Sequence, residues 1–245
     1  MRQLRIAGLV LVLVLVVVFS SQGQSIPLDA PTPDVAAKQI IDRSIAVYAN
    51  CNSYVDEGEV KTIFYQSNGP RTVIKPFTTA FVRPSAFRFE YQELKNEALW
   101  SRYIIWQDAE SVKTWWSIKP EVKSPSSLAM ALAAATGVSS LASYTVPTLL
   151  MPETRMGSDL KSFSAMKLQE QQVNGRQAYK IEGANALRNP VTFWLDKETL
   201  LIVKIFRKAK FPNFETETTT TYRPRINEGA EGKLAFDAPG TGKGF

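Results

Sequence analysis

The side chains that most often do chemistry are scarce in this chain. Among its 245 residues there is no histidine and one cysteine, Cys51. Without histidine there is no Ser–His or Cys–His nucleophile pair and no imidazole to ligate a metal. No G-x-S-x-G elbow occurs. Cys51 has no partner for an internal disulfide, and nothing beside it in sequence activates a thiol. A small buried residue at a helix end is expected. The ending Gly240-Thr-Gly-Lys-Gly244 has part of a phosphate-loop pattern. It lacks the first glycine at the required spacing, has Gly244 where Ser or Thr should stand, and leaves no chain for the following helix. Asp and Glu are plentiful, but no acid–base pair can be named from their spacing. No catalytic residue, metal ligand or cofactor is therefore expected, and the protein is not read as an enzyme.

Two features bear on function instead. The first is an arginine on an aromatic strand. In Pro76-Phe-Thr-Thr-Ala-Phe-Val-Arg83, a period of two puts Phe77, Thr79, Phe81 and Arg83 on one face. Beyond Pro84, the odd positions Phe87, Phe89 and Tyr91 continue that face, while Arg88 and Glu90 point away. A guanidinium among aromatic rings needs carbonyls or a carboxylate for its five donors, and the unpaired carbonyls of a helix end would suit. Two readings stay open: Arg83 snorkels to water at the strand end, or it latches a helical cover to the sheet.

The second feature is Ser124–Pro152, twenty-nine residues without Asp, Glu, Lys or Arg. Gly137, Pro147 and scattered serines divide it, so it lacks the roughly 20 continuous apolar residues of a spanning helix. It is too apolar for a surface loop. Either the protein's own core covers it, or a ligand shares that cover.

The elements that must position these features follow from periodicity. Asp34–Ala49 has helical spacing, with Asp34 as a cap after Pro33. Strands are expected at 53–66, 71–82, 86–92, 100–107 and 111–118. Trp115 and Trp116 adjoin, so they face opposite sides of their strand. A helix is expected at 126–135, ended by Gly137, and a second short one from about 146 to 151. Strands resume at 164–173 and 176–183, joined by Asn174-Gly175, a strong hairpin signal. Further strands are expected at 191–195, 200–207, 214–222 and 233–236. Short turns imply antiparallel pairing. The fold class is α+β: a strongly curved antiparallel half-barrel of about eleven strands, with helices covering the concave face.

At the start, Arg2 and Arg5 precede the apolar run 9–19, and Ser21-Gln-Gly23 offers small residues for a signal peptidase. Residues 1–23 are expected to be a cleaved leader, 24–33 a Pro-rich tether, and 34–245 a single domain with a helical lid insert at about 124–152. The formal net charge of +6 falls to +4 without Arg2 and Arg5, and is spread along the chain. No basic stripe with interleaved aromatics occurs, so nucleic acid is not an expected partner.

Several stretches resemble the LolA/LolB superfamily of periplasmic lipoprotein-sorting proteins. Phe81-Val-Arg83-Pro84-Ser-Ala-Phe87-Arg88-Phe89 is similar to that family's Arg-Pro-x-x-Phe-x-aromatic strand. Ser111–Pro120 is similar to its next paired strand, Tyr48–Tyr54 to its helix-to-strand passage, and Lys233–Gly240 to its closing Phe-x-x-Pro-x-Gly. The resemblance implies a periplasmic carrier of lipoprotein acyl chains or another lipid, acting as a monomer between an inner-membrane donor complex and an outer-membrane acceptor. It implies that Arg83 bonds a helical lid over an apolar cavity. Expected lining residues on the sheet are Phe81, Phe87, Phe89, Trp106 and Trp115. On the lid they are Leu128, Met130, Leu132, Leu149 and Leu150. The alternative is an RseB-like sensor or protein-interaction module of the cell envelope without a transport role.

Overall fold

The computed structural model describes residues 33–95, 98–154, 156, 160–235 and 237. The expected leader, the tether up to residue 32, Phe236 and the glycine-rich ending lie outside the described residues.

Helix α1 (Pro33–Asn50) opens on a proline, whose fixed φ suits a first turn, and carries Asp34 in that turn. Ala37, Ile40, Ile41, Ser44 and Tyr48 are its buried side chains, three or four residues apart along one stripe. Six strands follow as a meander, each antiparallel to the last: β1 (Ser53–Gln66), β2 (Gly69–Val82), β3 (Ala86–Lys95), β4 (Ala98–Gln107), β5 (Val112–Trp116) and β6 (Lys119–Lys123). The neutral segment then forms α2 (Leu128–Thr136), α3 (Ala142–Thr145) and α4 (Pro147–Leu150). Ser127 caps α2, its Oγ accepting from the Met130 N–H at 3.2 Å.

A second meander runs through β7 (Ser164–Val173), β8 (Arg176–Ala184), β9 (Pro190–Asp196), β10 (Ile202–Phe211) and β11 (Phe214–Tyr222). The β7–β8 turn has Asn174 at φ 50° and Gly175 at φ 82°, the left-handed pair that a two-residue hairpin needs. β11 pairs antiparallel with β1 and joins the two meanders, and β12 (Arg225–Ile226) pairs with the start of β1. The result is one open sheet of twelve strands, ordered β6-β5-β4-β3-β2-β1-β11-β10-β9-β8-β7.

One expectation is corrected, and two short elements were not expected. The short strand at 233–236 is absent: Glu231–Lys233 is a 3₁₀ turn, and Leu234 and Ala235 are irregular. The short helix expected at about 146–151 forms as α4; α3, just before it, was not expected, and Leu141, at φ 73°, breaks the chain direction ahead of α3. β6 was not expected, because Lys119-Pro-Glu-Val-Lys123 is exposed throughout and carries no apolar alternation.

Strand register divides the sheet into two faces. Tyr54 pairs with Phe81, Phe81 with Phe87, Thr79 with Phe89, and Phe89 with Ile105. These residues are buried, and all but Thr79 share one apolar cluster with Leu128, Leu132, Leu149 and Leu150 of the insert and with Ile41 and Tyr48 of α1. Burying one such side chain stabilises by about 1.5–3 kcal/mol, so this cluster outweighs any cap. β1 passes close beneath it at Gly58. A Cβ there would lie 2.3 Å from the Phe77 ring and 2.5 Å from the Thr221 carbonyl oxygen. The other face carries smaller apolar groups, Ile104 with Trp115 and Trp106, and Ala178 with Trp194 and Val203.

Candidate functional site

Arg83 follows β2 directly. Its Nε donates to the Cys51 carbonyl at 2.7 Å. Its Nη2 donates to Ala49 O at 2.5 Å, Tyr48 O at 3.3 Å and Leu150 O at 3.1 Å. The guanidinium carbon lies 5.1 Å from the centre of the Phe81 ring. One side chain thus gathers the carbonyls that α1 leaves unpaired at its C-terminal end and one from the end of α4. The aromatic ring behind it is a favourable seat for a cation.

Two further cations reach the insert. Arg207, buried on β10, donates from Nη2 to Thr145 Oγ1 of α3 at 3.1 Å. Lys75 of β2 donates from Nζ to Val138 O, just past α2, at 2.5 Å and lies 3.4 Å from Glu93. Leu150 O, Thr145 Oγ1 and Val138 O, one acceptor for each cation, sit within Ser124–Pro152. The insert has no formal charge of its own, and it is held by positive groups of the sheet through backbone or hydroxyl oxygens. Sequence reasoning missed Arg207 and Lys75. For Arg207 the signal was present, since it follows Ile205 at a period of two.

Phe81, Phe87, Phe89, Leu132, Leu149 and Leu150 come together and are fully buried, with Leu128 beside them. Three expected lining residues stand elsewhere. Met130 is 60% exposed and turns away from the sheet. Trp106 pairs beside Arg88, and Trp115 beside Ile104, which places both on the far face. Trp106 Nε1 donates to Leu234 O at 2.6 Å there. The cause is parity: with Phe89 opposite Ile105, the even positions of β4 belong with Arg88 and Glu90. The tryptophan on the helix side is Trp116, 6.2 Å from Tyr103 ring to ring. Beside it, between β4–β6 and α2, opens a pocket of about 240 Å³ walled by Tyr103, Trp116, Ala134 and Val138, with Thr114, Lys119, Glu121 and Lys123 also lining it; Trp115 borders it too, although its position in the β4–β5 register belongs to the far face.

A small polar group lies within the helix-side core. Asp56 is fully buried; its Oδ2 accepts from Tyr54 Oη at 2.6 Å and its Oδ1 from the Thr79 N–H at 2.9 Å. Burial pushes its carboxyl up to about 6, against the pull of those donors. Tyr48 Oη accepts from the Ile202 N–H at 2.9 Å, and burial drives that phenol well above its ordinary range. Cys51 is buried and donates weakly to Tyr48 O at 3.3 Å. Burial pushes its thiol up, and the nearby Arg83 charge only partly offsets this, so it is not an activated nucleophile.

The far face is charged. Glu90 accepts from Arg88 at 2.5 Å and from Arg102 at 2.7 and 2.8 Å. Asp237 bridges the same two arginines at 2.8 and 3.0 Å. Burial raises Glu90, but Arg102, Gln92 and Arg88 carry it below the usual carboxylate range. With Lys233 on Glu57 at 2.6 Å, these bonds tie segment 231–237 across that face. Among the described residues no three potential ligands group as a metal site would require. None of their helices is long and apolar enough to cross a membrane, which says nothing of β-barrels.

The class so defined is an open antiparallel sheet with a neutral helical insert packed on one face. No family model and no curated protein matches the chain. Solved structures similar to it include a LolA superfamily protein from Nitrosomonas europaea, 8% identical, covering 82% of this chain and 98% of that one at a TM-score of 0.33. LprF from Mycobacterium bovis is 13% identical over 79% of this chain and 94% of its own, at 0.43. A chain of the Pseudomonas aeruginosa MucA/MucB complex is 12% identical over 82% of this chain and 60% of its own, at 0.43.

Proposed function

We propose that this protein is a non-enzymatic carrier of the cell envelope. It binds an acyl chain, of a lipoprotein or another lipid, between the sheet and the neutral insert, which serves as a cover over the concave side. The observation that carries this reading is the attachment of an uncharged cover by Arg83, Arg207 and Lys75, cations that belong to the sheet or its strand ends. A cover without charge can lift and meet hydrocarbon without stranding an ion in it. The surfaces then exposed, Phe81, Phe87 and Phe89 against Leu128, Leu132 and Leu149, are apolar on both sides. Each methylene buried there returns about 0.8 kcal/mol, so one long chain offsets the loss of a few cover contacts. Transfer requires that the closed form be favoured only modestly.

The test is to purify the exported protein from cell envelopes and identify retained lipid by mass spectrometry, beside Arg83→Leu and the double change Leu128→Asp, Leu132→Asp. Wild type is expected to retain acyl species, the double variant to lose them, and Arg83→Leu to change the amount retained. Because the double variant places charge in the core, its circular dichroism is compared first. Arg83→Leu is also assayed with a fluorescent fatty acid, which does not depend on the double variant folding. Lipid-free wild type that binds no fatty acid but forms a complex with an envelope protein would replace the carrier by the sensor reading.

A further inference from the structure

The pocket beside α2 is built from two kinds of surface. Tyr103, Trp116, Ala134 and Val138 supply an apolar wall. Lys119 and Lys123 line it from β6, with Glu121 between them; residues two apart on a strand share a side, so the three lean the same way. Trp116 is registered opposite Lys119, and Thr114 opposite Lys123. Neither lysine forms an ion pair among the described residues, so the rim keeps a net charge of one positive group. Trp116 Nε1 is buried and, among the described residues, has no acceptor. Buried indole N–H groups normally have one, so a residue that lines this pocket and is registered opposite Lys119 carries an unused donor.

We infer that this pocket receives the anionic head and first methylenes of a single-chain amphiphile, with a phosphate or carboxylate oxygen accepting from Trp116 Nε1 and Lys119 and Lys123 supplying the countercharge. The inference rests on the carrier reading and adds to it the ligand class and the place of entry. At about 240 Å³ the pocket is below the roughly 300–1,000 Å³ of sites for drug-sized ligands, which suits one chain and not two side by side. Val138, one of its walls, is also the residue whose carbonyl holds Lys75. A chain that widens the pocket at Val138 therefore loosens one of the three attachments of the cover. Entry and opening are coupled at a single residue.

Calorimetric titration of the exported protein with three probes tests this, each below its micelle concentration: myristoyl lysophosphatidylglycerol, myristoyl lysophosphatidylcholine and tetradecyl maltoside. The anionic lipid is expected to bind about tenfold more tightly than the maltoside, a preference that weakens in high salt. Lys119→Gln with Lys123→Gln, at exposed positions, should abolish the preference, bringing affinity for the anionic lipid down to that of the maltoside for the same variant. Trp116→Phe, which keeps the ring and deletes the donor, should lower affinity for the anionic lipid about fivefold, as loss of one charge-assisted hydrogen bond would. Inorganic phosphate at millimolar concentration should neither bind nor displace the lipid. Equal binding of all three probes, or a preference that survives the double lysine change, overturns the head-group site and leaves the carrier reading standing. Displacement by phosphate alone makes it a phosphate site and overturns the amphiphile. No binding of any probe by wild type removes both.

Discussion

The two faces of the sheet are closed by opposite means. On one face the covering segment has no charge, and the sheet supplies cations that hold its oxygens. On the other, segment 231–237 brings charges of its own, Asp237 and Lys233, and pairs them with Arg88, Arg102 and Glu57. The difference concerns what each contact leaves behind when it breaks. Ion pairs with a half-buried partner leave an uncompensated charge, which is costly. When a bond from a cation to a carbonyl or hydroxyl breaks, the insert carries away only a neutral oxygen and the charge stays with the sheet. The helix-side segment thus carries no charge in either state, whereas the far-side segment must carry its charges with it.

The sharpest way to break this comparison is Glu90→Ala. It leaves Arg88 and Arg102 facing each other with only the more exposed Asp237 between them, and should cost about 3 kcal/mol in urea unfolding. A loss well under 1 kcal/mol would mean that the far face does not depend on its charges. The second test addresses Asp56, a fully buried carboxylate within the helix-side core. It holds its proton more tightly folded, at about 6, than unfolded, near the ordinary carboxylate range. Its stabilising contribution is full below that ordinary range and is lost as pH rises through about 6. Wild type should therefore gain about 1 kcal/mol from this group between pH 7 and pH 5, and Asp56→Asn should lack the gain. Glu90 and Asp237, whose carboxyls are lowered, act in the other direction, but only below that interval. The smallest effect is expected from Asp237→Asn. With the side chain 57% exposed, the change should cost less than about 1 kcal/mol, yet speed hydrogen exchange at 233–235.

Much of the helix-side face was legible in sequence because period two survives in Phe77, Thr79, Phe81 and then Phe87, Phe89, Tyr91. Both runs lie on one side, opposite each other across the β2–β3 pair. The burial of the insert's leucines was legible through the charge gap, which is a property of composition and needs no register. The register of Trp106 and Trp115 on the far face was not legible, because aromatic character says a side chain is buried but not on which face. That depends on how β4 pairs with β3, and pairing between strands is invisible in a single strand's pattern. Met130 was misplaced for the helical equivalent of the same reason, since in so apolar a helix no polar stripe marks the outside. The tie of Arg88 to Asp237 spans 149 residues, with nothing local to announce it. β6 escaped because an edge strand facing water has no need of apolar residues.

That same edge has a consequence for the protein's neighbours. β6 ends the sheet, and the outer side of a terminal strand offers unpaired backbone groups to any extended chain that drifts past. Here Pro120 withholds one amide hydrogen, and Lys119, Glu121 and Lys123 keep a hydrated fence along the border. Such an edge resists fibre growth and strand capture, so the sheet's open end is guarded against becoming the nucleus of an aggregate.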